Sequence, residues 1–253
     1  MRSQLFAALA LVFALPIAVG AQDRCDVRRD VDRQIDAAGL DGVLIEAAAG
    51  SLEVVGADVD RVRVRGVLCA SDEAIAADAR LILERRQGAA WIEADLPESR
   101  WRDYVRMDLT VEMPRSLATD IRDGSGEIVV RSVAAVRIDD GSGEMDIRDV
   151  PGSVIVDDGS GGIRIERVGS VEVDDGSGGI EIYDVAGSVL VVEDGSGTIE
   201  IRDVTGDVRI QEDGSGSIVV VGVGGDFVLE DDGSGSVDYR DIQGRVSVPD
   251  EGR

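Results

Sequence analysis

The stretch VDDGSGGI occurs twice in the chain, at Val156–Ile163 and at Val173–Ile180, and its reading decides the fold. Its central Asp-Gly-Ser-Gly recurs seven times, starting at Asp123, Asp140, Asp158, Asp175, Asp194, Asp213 and Asp232. Successive starts lie 17, 18, 17, 19, 19 and 19 residues apart. A near-constant period of that length marks stacked units rather than a string of unrelated turns. Between markers the chain writes two short alternating segments. Ile163, Ile165 and Val168 follow one marker, Gly169 breaks the run, and Val171 and Val173 lead into the next. The order returns as Ile180, Ile182, Val185, Gly187 and again as Ile199, Ile201, Val204, Gly206. Period-two alternation of β-branched residues predicts strands with one buried face. Arg164, Glu166 and Glu172 fall on the outward positions.

The variations in length fall at corners. Pro151 is the extra residue of the 18-residue unit, and the 19-residue units lengthen the acidic corner to VVEDGSG, IQEDGSG and LEDDGSG. Strands that must stay in register confine insertions to the turns between them. A β-solenoid, one coil per unit with equivalent residues ~4.8 Å apart, and an antiparallel meander closed into a barrel or sandwich both fit alternating strands. Repeat identity favours the solenoid, because each coil then meets a near-copy of itself above and below. The outward charges agree: Asp146, Arg164, Glu181, Glu200 and Asp238 share one column with Val129 and Val219, and Arg148 falls beside Glu166.

The expected fold class is therefore all-β, a solenoid of two-strand coils over 121–253 with an N-terminal capping region merged with irregular coils over 22–120. In that region strands are expected near 43–47, 51–55 and 61–66, in AAWIEADLP and in YVRMDLTVEMP, with a short helix N-capped by Ser71 in SDEAIAADARLILERR, whose later half reads as strand. Both tryptophans, Trp91 and Trp101, lie there. Pro249 cannot extend a central strand and blunts the C-terminal edge.

The motif SGxIxIxxVxGxVxV, seen in SGGIEIYDVAGSVLV and SGTIEIRDVTGDVRI, resembles a bacterial β-strand-repeat family of unknown function labelled putative adhesin, and IEAAAGSLEVVGADVDRVRVRG resembles the start of that domain. The resemblance spans most of 40–250. It implies an exported solenoid-like domain and no catalytic residues. This chain departs from the pattern in carrying an acid before every Gly-Ser-Gly.

Composition bounds the chemistry. The formal charge is −25, every basic residue is arginine, and histidine, lysine and asparagine are absent. That excludes Ser-His and Cys-His nucleophile pairs, histidine metal ligands and lysine Schiff bases. Such an acidic chain repels nucleic acid and anionic membranes. The opening MRSQLFAALALVFALPIAVGAQ, with Arg2, an apolar run over Leu5–Leu15 and Val19-Gly20-Ala21, reads as a signal peptide cut after Ala21. Export to the periplasm, cell surface or medium follows, with no membrane span in the mature chain. In that compartment Cys25 and Cys69 are expected to pair, closing a loop of about 45 residues worth ~4 kcal/mol in the chain-entropy model; two unpaired buried thiols are the alternative.

The corner itself has two readings. As a turn, Asp accepts a backbone N–H two residues on, and the glycines supply the bend. As a cation ladder, Asp140, Asp158, Asp175, Asp194, Asp213 and Asp232 stack into a column, enlarged by the adjacent Asp139, Asp157, Asp174, Glu193, Glu212 and Asp231. Charges ~4.8 Å apart repel by ~0.9 kcal/mol in water, and Ca²⁺ bound by oxygen ligands would relieve this. The Gly-Gly-x-Gly-x-Asp order of calcium β-rolls is absent, so the turn is favoured. The expected function is a non-catalytic envelope module, adhesin-like or structural, without cofactor and with an unidentified surface partner. A calcium-responsive solenoid and a carbohydrate-active β-helix enzyme are the alternatives.

Overall fold

A computed structural model describes residues 25–98 and 103–249. The signal-peptide reading and Trp101 lie outside the described residues. The N-terminal part contains β1 (Val27–Asp36), β2 (Gly42–Glu46), β3 (Leu52–Ala57), β4 (Arg61–Ala70), α1 (Glu73–Asp78), β5 (Arg80–Arg86), β6 (Ala89–Asp95) and β7 (Val105–Pro114). The repeats supply β8 (Ala118–Asp123), β9 (Ile128–Arg131), β10 (Val136–Asp140), β11 (Met145–Asp158), β12 (Ile163–Asp175), β13 (Ile180–Val185), β14 (Val189–Asp194), β15 (Gly197–Val204), β16 (Val208–Asp213), β17 (Gly216–Val223), β18 (Phe227–Asp232), β19 (Gly235–Ile242) and β20 (Val246–Ser247).

These strands stack in parallel into two faces, as a β-solenoid requires. One face runs β7, β3, β9, the first half of β11, the first half of β12, β13, β15, β17, β19. The other runs β6, β2, β8, β10, the second halves of β11 and β12, then β14, β16, β18, β20. Space and sequence part company at the N-terminal end: the coil of β2 and β3 lies between that of β6 and β7 and that of β8 and β9. Antiparallel strands close that end, β5 on β6, β4 on β7, and β1 outermost on β4.

Five apolar columns fill the interior. One is Ile128, Met145, Ile163, Ile180, Ile199, Ile218; others are headed by Val130, Val133, Val136 and Ile138, and their members through Leu229 are buried. The length variation resolves into bulges. Register slips between Val150 and Ser153, where Pro151 enters, and beyond Val173, where Val192 has no counterpart. The outward charge columns hold as read: Asp146 faces Arg164, Arg164 faces Glu181, and Arg148 faces Glu166.

The capping region differs from the sequence reading in two places. The helix is capped by Asp72, whose Oδ1 accepts from the N–H groups of Ala74 and Ile75 at 2.8 and 2.9 Å. Ser71 instead holds the neighbouring strand, its Oγ accepting from Tyr104 N–H at 3.2 Å. A carboxylate caps as well as a hydroxyl, and the backbone of Ser71 is already committed to Tyr104. The second difference is β1. Its half-buried residues Val27, Val31 and Ile35 recur every fourth position, which hides the strand from a period-two search. Cys25 and Cys69 form a disulfide with 5.2 Å between their Cα atoms. Among the described residues no helix is long and apolar enough to cross a membrane.

Candidate functional site: the aspartate column

Backbone parity sets the site. Val136, Ile138 and Asp140 occupy positions i, i+2 and i+4 of one strand, so all three side chains point inward. The same holds for Val154, Val156, Asp158 and for Val171, Val173, Asp175. Each coil from Asp123 to Asp213 thus carries an aspartate as a sixth interior residue beside five apolar ones. Their exposure runs from 8% at Asp123 through 5, 3 and 1% at Asp140, Asp158 and Asp175 to 0% at Asp194 and 2% at Asp213. Asp232, near the C-terminal end, is half-buried.

The residues singled out from sequence stand in one register: Asp140 pairs with Asp123 and Asp158, Asp175 with Asp158 and Asp194, Asp213 with Asp194 and Asp232. The adjacent acids do not enlarge this column. Asp139, Asp157, Asp174, Glu193, Glu212 and Asp231 form a second one on the opposite, outward side of the same strands. Among the described residues no group of three acidic side chains is placed to hold a metal ion.

The buried carboxyls are at most half satisfied. The turn bond expected from sequence is present: Asp158, Asp175 and Asp194 accept through Oδ1 from Ser160, Ser177 and Ser196 N–H at 3.2, 3.1 and 3.2 Å. The corner backbone needs nothing more, because Gly159, Gly176 and Gly195 donate to the carbonyls of Asp140, Asp158 and Asp175 in the preceding coil at 3.0, 2.9 and 3.0 Å. The Oδ2 atoms of Asp123, Asp158, Asp175 and Asp194 and both oxygens of Asp140 and Asp213 are enclosed without a protein donor. Burial is the main cause that pushes these groups up, to about 7 at Asp194, where the Asp175 and Asp213 charges add to it. Asp158 rises to about 6 from burial and then from Asp175 and Asp140; Asp123 and Asp213 also reach about 6, burial first. Asp140 and Asp175 rise for the same leading reason.

The final glycine of each corner makes this packing possible. At Gly178 φ is 151°, and a Cβ there would lie 1.5 Å from the Gly161 carbonyl oxygen of the adjacent coil. A further column went unread in the sequence. Ser132, Asp149, Arg167, Asp184, Asp203 and Asp241 hold φ between 54° and 58°, with Gly222 at 73° in the same position. They turn the chain from the first face to the second; the signal was the recurrent aspartate of RDV, YDV and RDI, since Asp tolerates the left-handed region better than most residues.

Outside the interior, charges lie in flat columns. Arg164 pairs with Glu181 and stacks over Tyr183 at 4.8 Å; Arg167 pairs with Asp149 at 2.7 Å across coils. A shallow trough of 390 Å³ over β2, β8, β10 and β11 is lined by residues including Gly42, Leu44, Ala118, Arg137 and Ile155.

The molecule is thus a β-solenoid with an antiparallel N-terminal cap and an interior carboxyl column. No family model matches the chain, and no curated protein matches it. Among solved structures it is similar to a putative adhesin from Bacteroides fragilis NCTC 9343, at 13% identity and TM-score 0.46 over 87% of this chain and 96% of that one. A putative adhesin from Parabacteroides merdae ATCC 43184 follows at 9% identity and TM-score 0.39 over 86% and 96%, and a putative lipid binding protein from Parabacteroides distasonis ATCC 8503 at 14% and 0.37 over 86% and 96%.

Proposed function

We propose that the chain is an exported, non-catalytic module of the cell envelope that presents its flat solenoid faces to a surface partner. The observation that carries this reading is the regularity of the outward side chains. From Val129 through Asp146, Arg164, Glu181, Glu200 and Val219 to Asp238 they form one continuous register, mostly acidic, with Arg164 between Asp146 and Glu181. Such a surface suits broad, additive contact, whereas catalysis asks for a recess in which a few groups converge. The Cys25–Cys69 bridge supports an oxidising destination.

The test is retention of the purified protein on envelope extract, wild type against the charge-reversed variant Arg164→Glu, Glu181→Arg, Glu200→Arg. Weaker retention of the variant at low salt is expected. Equal retention, or turnover of a glycan by the wild type, overturns the reading.

A further inference from the structure

The carboxyl column is an interior feature that the solenoid does not need. Five apolar columns already hold the coils together, and the corner backbone is satisfied without Oδ2. Yet consecutive coils from Asp123 to Asp213 each bury a carboxyl with at least one oxygen lacking a donor. A buried acceptor without a donor is costly, and a row of them all ionised is costlier. A proton between neighbours answers both demands: a protonated carboxyl donates to the bare oxygen of the next. Register sets the carboxyls of adjacent coils side by side, Asp213 between Asp194 and Asp232.

We propose that the aspartate column is a proton ladder: carboxyl groups of adjacent coils share protons along the stack, so the repeat region is tighter in mild acid and loosens as pH rises toward neutrality. The surroundings leave the proton as the fitting partner. At the outward position just before each column aspartate stand Arg122, exposed beside Asp123, and then acids, Asp139, Asp157, Asp174, Glu193, Glu212 and Asp231; the exposed Arg137 and Arg209 lie further back on β10 and β16, three and four residues ahead of Asp140 and Asp213. On the chain leaving the corner, Glu127 and Glu144 are followed at the same position by Gly162, Gly179, Thr198, Ser217 and Ser236. The interior neighbours on both faces are apolar.

The sign follows from proton counting. The folded chain holds protons on the column up to about 6–7, whereas an unfolded aspartate releases its proton near 3.8. Between those limits the native state binds more protons, so stability falls as pH rises. The contribution is complete below about 3.8 and lost through pH 6–7. The surface pairs that lower Asp32, Asp149 and Asp226 act in the opposite sense and only at more acid pH.

The experiment is thermal unfolding of the disulfide-bonded chain from pH 5 to pH 8, wild type against Asp175→Asn, Asp194→Asn, Asp213→Asn combined. Asparagine keeps the Oδ1 acceptor and carries no charge. The wild-type midpoint should drop by about 5 °C or more toward pH 8, and the variant, which keeps Asp123, Asp140 and Asp158, should lose about half of that drop. Parallel profiles, or a midpoint that rises with pH, overturn the proposal. A wild-type midpoint raised by calcium at pH 8 and constant ionic strength, with no such rise in the variant, assigns the column to a metal and also overturns it. Should the variant not fold, carboxyl ¹³C shifts of the wild type decide: aspartates titrating near neutrality support the ladder, and all titrating near pH 4 refute it.

Discussion

Two acids stand side by side at most corners, and one step along a strand gives them opposite fates. Asp174 points outward and is half-buried, while Asp175 is buried among isoleucines and valines. The doubled acid is therefore not a richer turn; it is one exterior and one interior position. A second backbone constraint sits at the other corner, where Asp203 has φ of 57° and Gly222 takes the same place one coil on at 73°. A β-branched side chain there meets its own backbone, at a cost of about 1–2 kcal/mol. Asp203→Val is expected to lower stability by about that much, and Asp203→Gly to leave it within about 0.5 kcal/mol. Chemical denaturation of the two variants checks this, and equal losses for both would show that the carboxylate rather than the torsion matters.

At the scale of the coil, each residue is judged by what the next coil allows. Gly178 and Gly179 make the contrast within one corner. A Cβ at Gly178 would strike the adjacent backbone at 1.5 Å, whereas the nearest atom to one at Gly179 is 4.0 Å away. Gly178→Ala should cost about 3 kcal/mol or more and open the stack locally, because backbone cannot yield as a side chain does. Gly179→Ala should be nearly neutral. Limited proteolysis and thermal midpoints separate the two, and similar behaviour would contradict the stacking contact. Much of this was legible beforehand. Repeat period, strand parity and the outward charge columns follow from Ile163, Arg164 and Ile165 and their copies, since a stack repeats whatever one coil does. Parity also marked Asp175 as interior, two residues beyond Val173, but the turn bond to Ser177 explained the aspartate well enough to conceal it. The placement of the coil of β2 and β3 between coils that follow it in sequence left no local signal, because strand order is settled by pairing across distant segments. In β1 the edge position leaves only every fourth residue half-covered, which erases the alternation.

Across the whole molecule, contacts run from each coil to its neighbours, so a disturbance should travel little. The disulfide tests this. It ties the residues ahead of β1 to the end of β4, and β1 pairs with β4 from Val27 opposite Ala70 to Asp36 opposite Arg61. β1 buries little of its own, with Val27, Val31 and Ile35 only half-covered and charged residues between them. Such a charged outer strand protects the edge of β4 from pairing with other chains, yet it has little apolar area to hold it in place. The bridge closes a separation of 44 residues, worth ~4 kcal/mol in the chain-entropy model. Replacing both cysteines, Cys25→Ser with Cys69→Ser, is expected to speed amide hydrogen exchange in β1 and along its partner β4. The amides of Ile180–Asp213, many coils away, should keep their protection. Exchange that quickens evenly from β1 to β16 would instead mean that cap and repeats open as one cooperative unit, and the local character of the stack would have to be abandoned.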